Sequence, residues 1–179
     1  GRYTLAHRVV MAPLTRMRAT PGTNAPNALN AEYYGQRASK GGLIICEATP
    51  VVASGTAGPN VPGIYTDAQI AGWKLVTDAI HARGGVAFLQ LWHGGRISHS
   101  SLQPDGGLPQ SASAIPPSSG MVLGADFKPH PFETPRPLET AELPLGHVVS
   151  GDFLYDQIAA NLVSTAQLSR EIFDSVQRF

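Results

Sequence analysis

Three short apolar runs of this chain end at residues that could contact a ligand through hydrogen bonds or close backbone approach. These residues are Pro13, Leu14 and Thr15 after the run at 9–12, Ala48 after the run at 43–46, and Gln90 and Trp92 at the end of the run at 86–91. Apolar runs that stop abruptly at polar, proline or glycine residues are typical of buried parallel strands, which present functional groups at their carboxyl ends. The pattern therefore predicts a ligand site at one edge of a parallel sheet.

Gln90 is the most informative of these side chains because it lies among Phe88, Leu89 and Leu91. A bare amide is costly to bury without partners. Its carboxamide donates and accepts hydrogen bonds at once, so it suits a ligand edge that carries both kinds of group. A core glutamine bonded to a neighbouring strand is the alternative.

The order of the elements predicts the class of fold. A strand at 9–12 ends at Pro13, and a helix at 28–39 places Leu29, Tyr33 and Ala38 near one face, with Gly41 and Gly42 as its stop. A strand at 43–46 follows, and then a long loop. Strand, helix, strand, helix and strand in this order predict an α/β fold with parallel crossovers.

The second helix has the clearest signals. Thr66 with Gln69 three residues later forms the capping-box pattern, and Gly84 is a typical stop. The helix predicted at 66–83 carries apolar residues at helical spacing, namely Ile70, Trp73, Val76 and Ile80. The strand at 86–91 follows it.

Three segments in this order, RVVMAPLTRMR at 8–18, GGLIICEA at 41–48 and FLQLWHGGR at 88–96, resemble the first three strands of the old yellow enzyme family. The resemblance runs over about 1–144. It implies a partial TIM (βα)8 barrel, with the first three βα units and a long capping loop at 92–137, followed by a helical tail at 145–179 that diverges from the family. The chain is thus predicted to divide into an N-terminal part of a flavin-binding βα barrel at 1–144 and a helical tail at 145–179.

The resemblance also implies an activity, because the family consists of FMN-dependent NAD(P)H oxidoreductases of the ene-reductase type. They reduce activated C=C bonds of α,β-unsaturated carbonyl compounds. The flavin contacts carried over are Pro13, Leu14, Thr15, Ala48 and Gln90, and Trp92 would face the substrate. In the family, a hydroxyl at the Thr15 position bonds near the flavin O4, and a small residue at the Ala48 position lets the backbone approach the pyrimidine edge.

No catalytic residue is assigned in this chain. The family's proton-donating tyrosine and its substrate-polarising pair follow a fourth strand, and the phosphate site comes later still. His147 and Tyr155 have only a faint likeness to that element, with the wrong spacing and no preceding strand. The chain alone is therefore expected to lack turnover, and a non-catalytic truncated barrel fragment is the alternative. An aldolase-like barrel lyase would need a lysine or metal cluster at the strand ends, and none is found.

Composition excludes other classes of function. The 13 basic and 13 acidic residues balance, which gives no reason to expect nucleic acid or a membrane as partner. No apolar stretch is long enough to span a membrane, and the histidines lack zinc-ligand spacing. The one cysteine, Cys46, is predicted to be core, and a cytoplasmic location follows as the default. Open sheet edges would favour self-association.

Overall fold

The structure, a computed structural model, describes residues 3–139. They form two compact units, one made of residues 3–49 and 60–90 and the other of residues 50–59 and 91–139. The predicted tail at 145–179, with His147 and Tyr155, lies outside the described residues. Within the described range, no helix is long and apolar enough to cross a membrane.

A three-stranded sheet carries the predicted site residues. Its strands lie in the order β1 (Val10–Met11), β2 (Leu43–Pro50) and β3 (Val86–Trp92). The strands β1 and β2 pair in parallel, and the Val86 N–H donates to the carbonyl oxygen of Gly42 at 2.8 Å, so β2 and β3 begin at the same edge. The predicted order of the strands is confirmed. The second strand is longer than predicted and runs on to Pro50.

The first helix, α1 (Ala28–Gly35), is shorter than predicted. Asn27 caps its N-terminus, and the Asn27 side chain forms a capping box with Asn30. The predicted extension to Ser39 is wrong because the chain tightens after Gly35, where the Arg37 N–H donates to Tyr34 and the Ala38 N–H to Gly35. Gly41 and Gly42 therefore lie beyond the helix.

The buried face of α1 also differs from the predicted one. Asn30 and Tyr34 are buried, whereas Leu29 is 55% exposed. Tyr34 packs towards the second helix, with its ring centroid 6.4 Å from that of Trp73. The spacing of apolar residues predicted the wrong buried face, because the face of this helix that is buried carries polar groups.

The second helix, α2 (Asp67–His81), follows the prediction closely. Thr66 and Gln69 form the capping box, and Trp73, Val76 and Ile80 are all buried. After the helix, the Gly84 N–H donates to His81 and the Gly85 N–H to Ile80, and Gly84 has a φ of +70°. This is the Schellman ending that a glycine makes possible.

The second unit has more regular structure than the predicted loop at 92–137. It contains four short 3₁₀ turns and two small sheets, in which β4 (Gln110–Ser111) pairs in parallel with β7 (Arg136–Pro137) and β5 (Met121–Leu123) pairs antiparallel with β6 (Pro129–Pro131). Polar contacts connect its segments. The carbonyl oxygen of Thr56 accepts hydrogen bonds from Ser98 and Gln103, and Glu133 accepts from the backbone and hydroxyl of Ser100.

Candidate functional site

The segment after β1 places Pro13, Leu14 and Thr15 at the carboxyl end of that strand. Pro13 and Thr15 are partly exposed, and Leu14 is 57% exposed. Among residues 3–139, nothing hydrogen-bonds the Thr15 hydroxyl. A threonine that is half-buried with an unpaired hydroxyl can hydrogen-bond a ligand without first losing a bond within the protein.

The end of β2 lies beside this segment. The Arg16 N–H, directly after Thr15, donates to Oε2 of Glu47 at 2.8 Å, and Glu47 directly precedes Ala48. Ala48 is buried at 8% exposure. The structure therefore brings the Thr15 and Ala48 segments together through a hydrogen bond between their chain neighbours.

On β3, Gln90 lies on the exposed face of the strand. Ala87 is fully buried, whereas Phe88 and Gln90 are exposed, as the alternation of side chains in a strand requires. No residue in the described part of the chain hydrogen-bonds the Gln90 carboxamide. The expectation that Gln90 is buried was wrong, and so is the alternative of a core glutamine bonded within the sheet.

Trp92, the last residue of β3, belongs to the second unit and is half-buried. His93 follows it, and Nδ1 of His93 accepts a hydrogen bond from the Gly95 N–H at 3.0 Å. Burial lowers the pKa of His93 below its ordinary range, because a buried imidazolium loses its hydration.

Sequence reasoning missed a buried polar cluster next to the site. Glu47 and Tyr34 are both fully buried, and the Tyr34 hydroxyl donates to Oε1 of Glu47 at 3.1 Å. Burial raises the pKa of both groups, and it raises the pKa of the neighbouring Cys46 to about 12, so that thiol is inert core as predicted. The one available signal was a glutamate directly after the apolar run of β2.

The sequence profile of the NADH:flavin oxidoreductase / NADH oxidase family matches residues 1–130. The chain belongs to this family. The resemblance to the N-terminal part of the old yellow enzymes is thereby confirmed.

Individual relatives agree with this assignment. The chain is 48% identical over 144 residues to 12-oxophytodienoate reductase 7 of Oryza sativa subsp. japonica, covering 80% of this chain and 36% of the relative. It is 46% identical over 146 residues to flavin oxidoreductase hxnT of Emericella nidulans, covering 80% of this chain and 37% of that protein.

Among solved structures, morphinone reductase in complex with tetrahydroNAD superimposes with a TM-score of 0.77 at 43% identity, covering 96% of this chain and 44% of that one. The chain thus spans less than half the length of these relatives.

The family's flavin has requirements against which these residues can be tested. A protein must offer hydrogen bonds to the isoalloxazine edge and space for the ring. Gln90 and Thr15 offer polar groups that no residue among 3–139 pairs, and Ala48 adds only a methyl group near the carboxyl end of β2. The residues present therefore fit an FMN ring edge.

A cavity of about 210 Å³ lies elsewhere in the first unit. It is lined by residues at the starts of β1 and β2, including Val10 and Leu43, together with His7 and Arg37. In a parallel sheet these starts are at the edge opposite to the carboxyl ends, so this cavity is not part of the candidate site.

Proposed function

We propose that the protein is an FMN-dependent NAD(P)H oxidoreductase of the ene-reductase type that reduces activated C=C bonds of α,β-unsaturated carbonyl compounds. The observation that carries the proposal is a pair of polar side chains, Thr15 after β1 and Gln90 on β3, that have no hydrogen-bond partner among residues 3–139, in a sheet whose sequence matches a flavin oxidoreductase family. Relatives named for reduction of 12-oxophytodienoate and morphinone, at 48% and 43% identity, support this substrate class.

We propose further that the sheet is the first part of an eight-stranded βα barrel. Residues 1–144 would form its first three βα units, with the segment after β3 as a cap, and residues 145–179 a helical tail. The superposition on morphinone reductase and the strand order β1, β2, β3 support this architecture.

Each site residue has a role in this proposal. Backbone groups at Pro13 and Leu14 would contact the flavin ring, and the Ala48 methyl group is small enough for the β2 backbone to approach the pyrimidine edge. The Gln90 carboxamide would donate to one atom of the N3 and O2 edge and accept from the other. Trp92 would form a wall on the substrate side.

When bound, FMN supplies hydride transfer from NAD(P)H to the β-carbon of the substrate. The chain's own part is to hold the ring edge and to tune it. A hydrogen bond from the Thr15 hydroxyl near O4 would stabilise the reduced, more electron-rich flavin relative to the oxidised form. The preference between NADH and NADPH is left open by these residues.

Turnover by the 179-residue chain alone is expected to be very low. The groups that polarise the substrate carbonyl and donate the proton follow a fourth strand in the family, and this chain spans 36% to 44% of its relatives. A purified chain that binds FMN but does not oxidise NADPH with a cyclic enone would fit this expectation. Turnover at an ordinary enzyme rate of about 10 s⁻¹ would contradict it.

The test of FMN binding is direct. The purified chain is mixed with FMN and passed through gel filtration, and flavin absorbance is followed in the protein fraction. Co-elution supports the proposal, and complete loss of flavin at millimolar FMN contradicts it. The same elution volume reports self-association, which we expect because β1 and β3 are the outer strands of the described sheet and Val9 is 76% exposed.

A further inference from the structure

The chain makes an unusual turn directly after Thr15. Met17 has a φ of +54°, in the left-handed region that residues other than glycine, asparagine and aspartate rarely adopt. Such a conformation persists only where the surrounding structure holds it. Because Arg16 and Met17 follow Thr15 immediately, whatever holds this turn also fixes the position of Thr15.

Glu47 holds the backbone of the turn. Its Oε2 accepts from the Arg16 N–H at 2.8 Å. The Met17 N–H acts on the same carboxyl group and lowers its pKa, against the larger opposing effect of burial. Glu47 therefore stabilises the turn from the β2 side.

The carbonyl groups of the same turn are held by a different residue. Nη1 of Arg18 donates to the carbonyl oxygen of Arg16 at 3.3 Å and to that of Met17 at 3.2 Å. The Arg16 guanidinium lies 5.0 Å from the ring centroid of Tyr33. The Arg18 contacts are exposed, whereas the bond from Arg16 to the fully buried Glu47 is partly buried, so the Glu47 contact is the one less open to water.

Glu47 is itself fixed by α1. The Tyr34 hydroxyl donates to its Oε1 at 3.1 Å, and the Glu47 N–H donates back to the Tyr34 oxygen at 2.8 Å. Both side chains are fully buried. The position of the turn is thus coupled to a helix of the first unit by a closed set of hydrogen bonds.

We propose that Glu47 is a positioning residue, which holds the Arg16–Met17 turn and thereby sets the Thr15 hydroxyl against the edge of the flavin. This inference rests on the proposed function, since it assigns Glu47 a part in tuning FMN. Loss of the carboxyl group frees the turn, so Thr15 no longer favours reduced over oxidised FMN.

The first measurement is amide hydrogen exchange in the 179-residue chain without ligand. In Glu47→Ala, the amide of Arg16 is expected to exchange at least about tenfold faster, because its acceptor is gone. In Glu47→Gln, the remaining amide oxygen still accepts from it, so most of the protection is retained. Unchanged exchange in Glu47→Ala would overturn the proposal.

The second measurement compares dissociation constants of oxidised FMN and of dithionite-reduced FMN under anaerobic conditions. Glu47→Ala is expected to lower the preference for the reduced form by about two- to tenfold, the effect of one hydrogen bond. Glu47→Gln is expected to recover most of it. Val76→Ala, which removes buried side-chain volume from α2 away from the turn, controls for general loosening of the unit.

The outcomes separate the two proposals. If wild type binds neither form of FMN, the proposed function fails and the flavin role of Glu47 fails with it. If wild type binds FMN and Glu47→Ala leaves the preference unchanged, or Val76→Ala shifts it equally, the positioning role alone is overturned. A shift in Glu47→Ala, recovery in Glu47→Gln and no shift in Val76→Ala support it.

Discussion

Strands β2 and β3 use their polar side chains in opposite ways. On β2, Glu47 is fully buried and hydrogen-bonded by Tyr34 and by the backbone after β1. On β3, Gln90 is exposed and has no hydrogen-bond partner among residues 3–139. One polar group has its hydrogen bonds satisfied within the protein, and the other is free to bind a ligand.

This difference indicates that Glu47 stabilises the fold, whereas Gln90 is available to recognise a ligand. A buried carboxyl group with several donors fixes the backbone around it, because breaking the set leaves buried donors unpaired. An exposed amide stabilises the fold very little and can contribute its hydrogen bonds to a flavin. Residue type alone does not distinguish the two roles, whereas burial and partners do.

The largest expected effect is on stability at Glu47. Glu47→Leu leaves the Tyr34 hydroxyl and the Arg16 N–H without an acceptor, at about 1–3 kcal/mol for each buried donor. We expect the free energy of unfolding, from urea denaturation, to fall by about 3 kcal/mol. Gln90→Leu, the matched change on β3, should stay within about 0.5 kcal/mol of wild type. Equal losses of unfolding free energy in the two variants would contradict the distinction between a structural Glu47 and a ligand-binding Gln90.

The pH dependence of stability tests the same contrast. Burial raises the pKa of Glu47 above its ordinary 4.5. At any pH between 4.5 and this raised pKa, the folded state therefore binds more protons than the unfolded state. The stability contributed by Glu47 is therefore complete below pH 4.5 and is lost as the pH rises through the raised pKa. Relative to Glu47→Gln, wild type should lose up to about 1.4 kcal/mol per pH unit in that window. A difference that grows with pH in favour of wild type would contradict this.

A smaller effect is expected on FMN binding at Gln90. Gln90→Leu should raise the dissociation constant of FMN about two- to tenfold, since the net value of such a hydrogen bond is about 0.5–1.5 kcal/mol. Gln36→Leu, an exposed glutamine after α1 that lies outside the proposed site, is the control. Fluorescence titration of FMN measures both variants. Equal weakening in Gln36→Leu would show that the site lies elsewhere.

The smallest effect is expected at Thr15. Thr15→Val removes a hydroxyl that no residue among 3–139 hydrogen-bonds, with little change of shape, so stability should stay within about 0.5 kcal/mol of wild type. Oxidised FMN should bind almost as before, and reduced FMN should bind a few times more weakly. Anaerobic titration of both forms measures the change. Weakened binding of the oxidised form only would contradict the role given to Thr15.

Local signals in the sequence predicted part of this fold. The capping box at Thr66 and Gln69, the spacing of Trp73 and Ile80 and the stop at Gly84 all act within one helix, and they located α2. The end of α1 was misplaced because the chain tightens there into bonds from Arg37 to Tyr34 and from Ala38 to Gly35, and no pattern of residue types marks this change.

The candidate site was also predicted only in part. Gln90 was selected by its type and by the family resemblance, although it is exposed rather than buried. Glu47 was missed because its partners, Tyr34 and Arg16, lie 13 and 31 residues away in the chain. The hairpin of β5 and β6 was missed because Pro129–Pro131 has none of the residues that favour strands.

The most direct test of the central claim is an NMR titration of the isotope-labelled 179-residue chain with FMN. We expect the Gln90 side-chain amide and the backbone amides of Leu14, Thr15 and Ala48 to shift together along one binding curve. The amides of Val10 and Leu43, at the opposite edge of the sheet, should shift little. Shifts concentrated at Val10 and Leu43, or no shifts at saturating FMN, would contradict the claim that the carboxyl edge of this sheet holds the flavin.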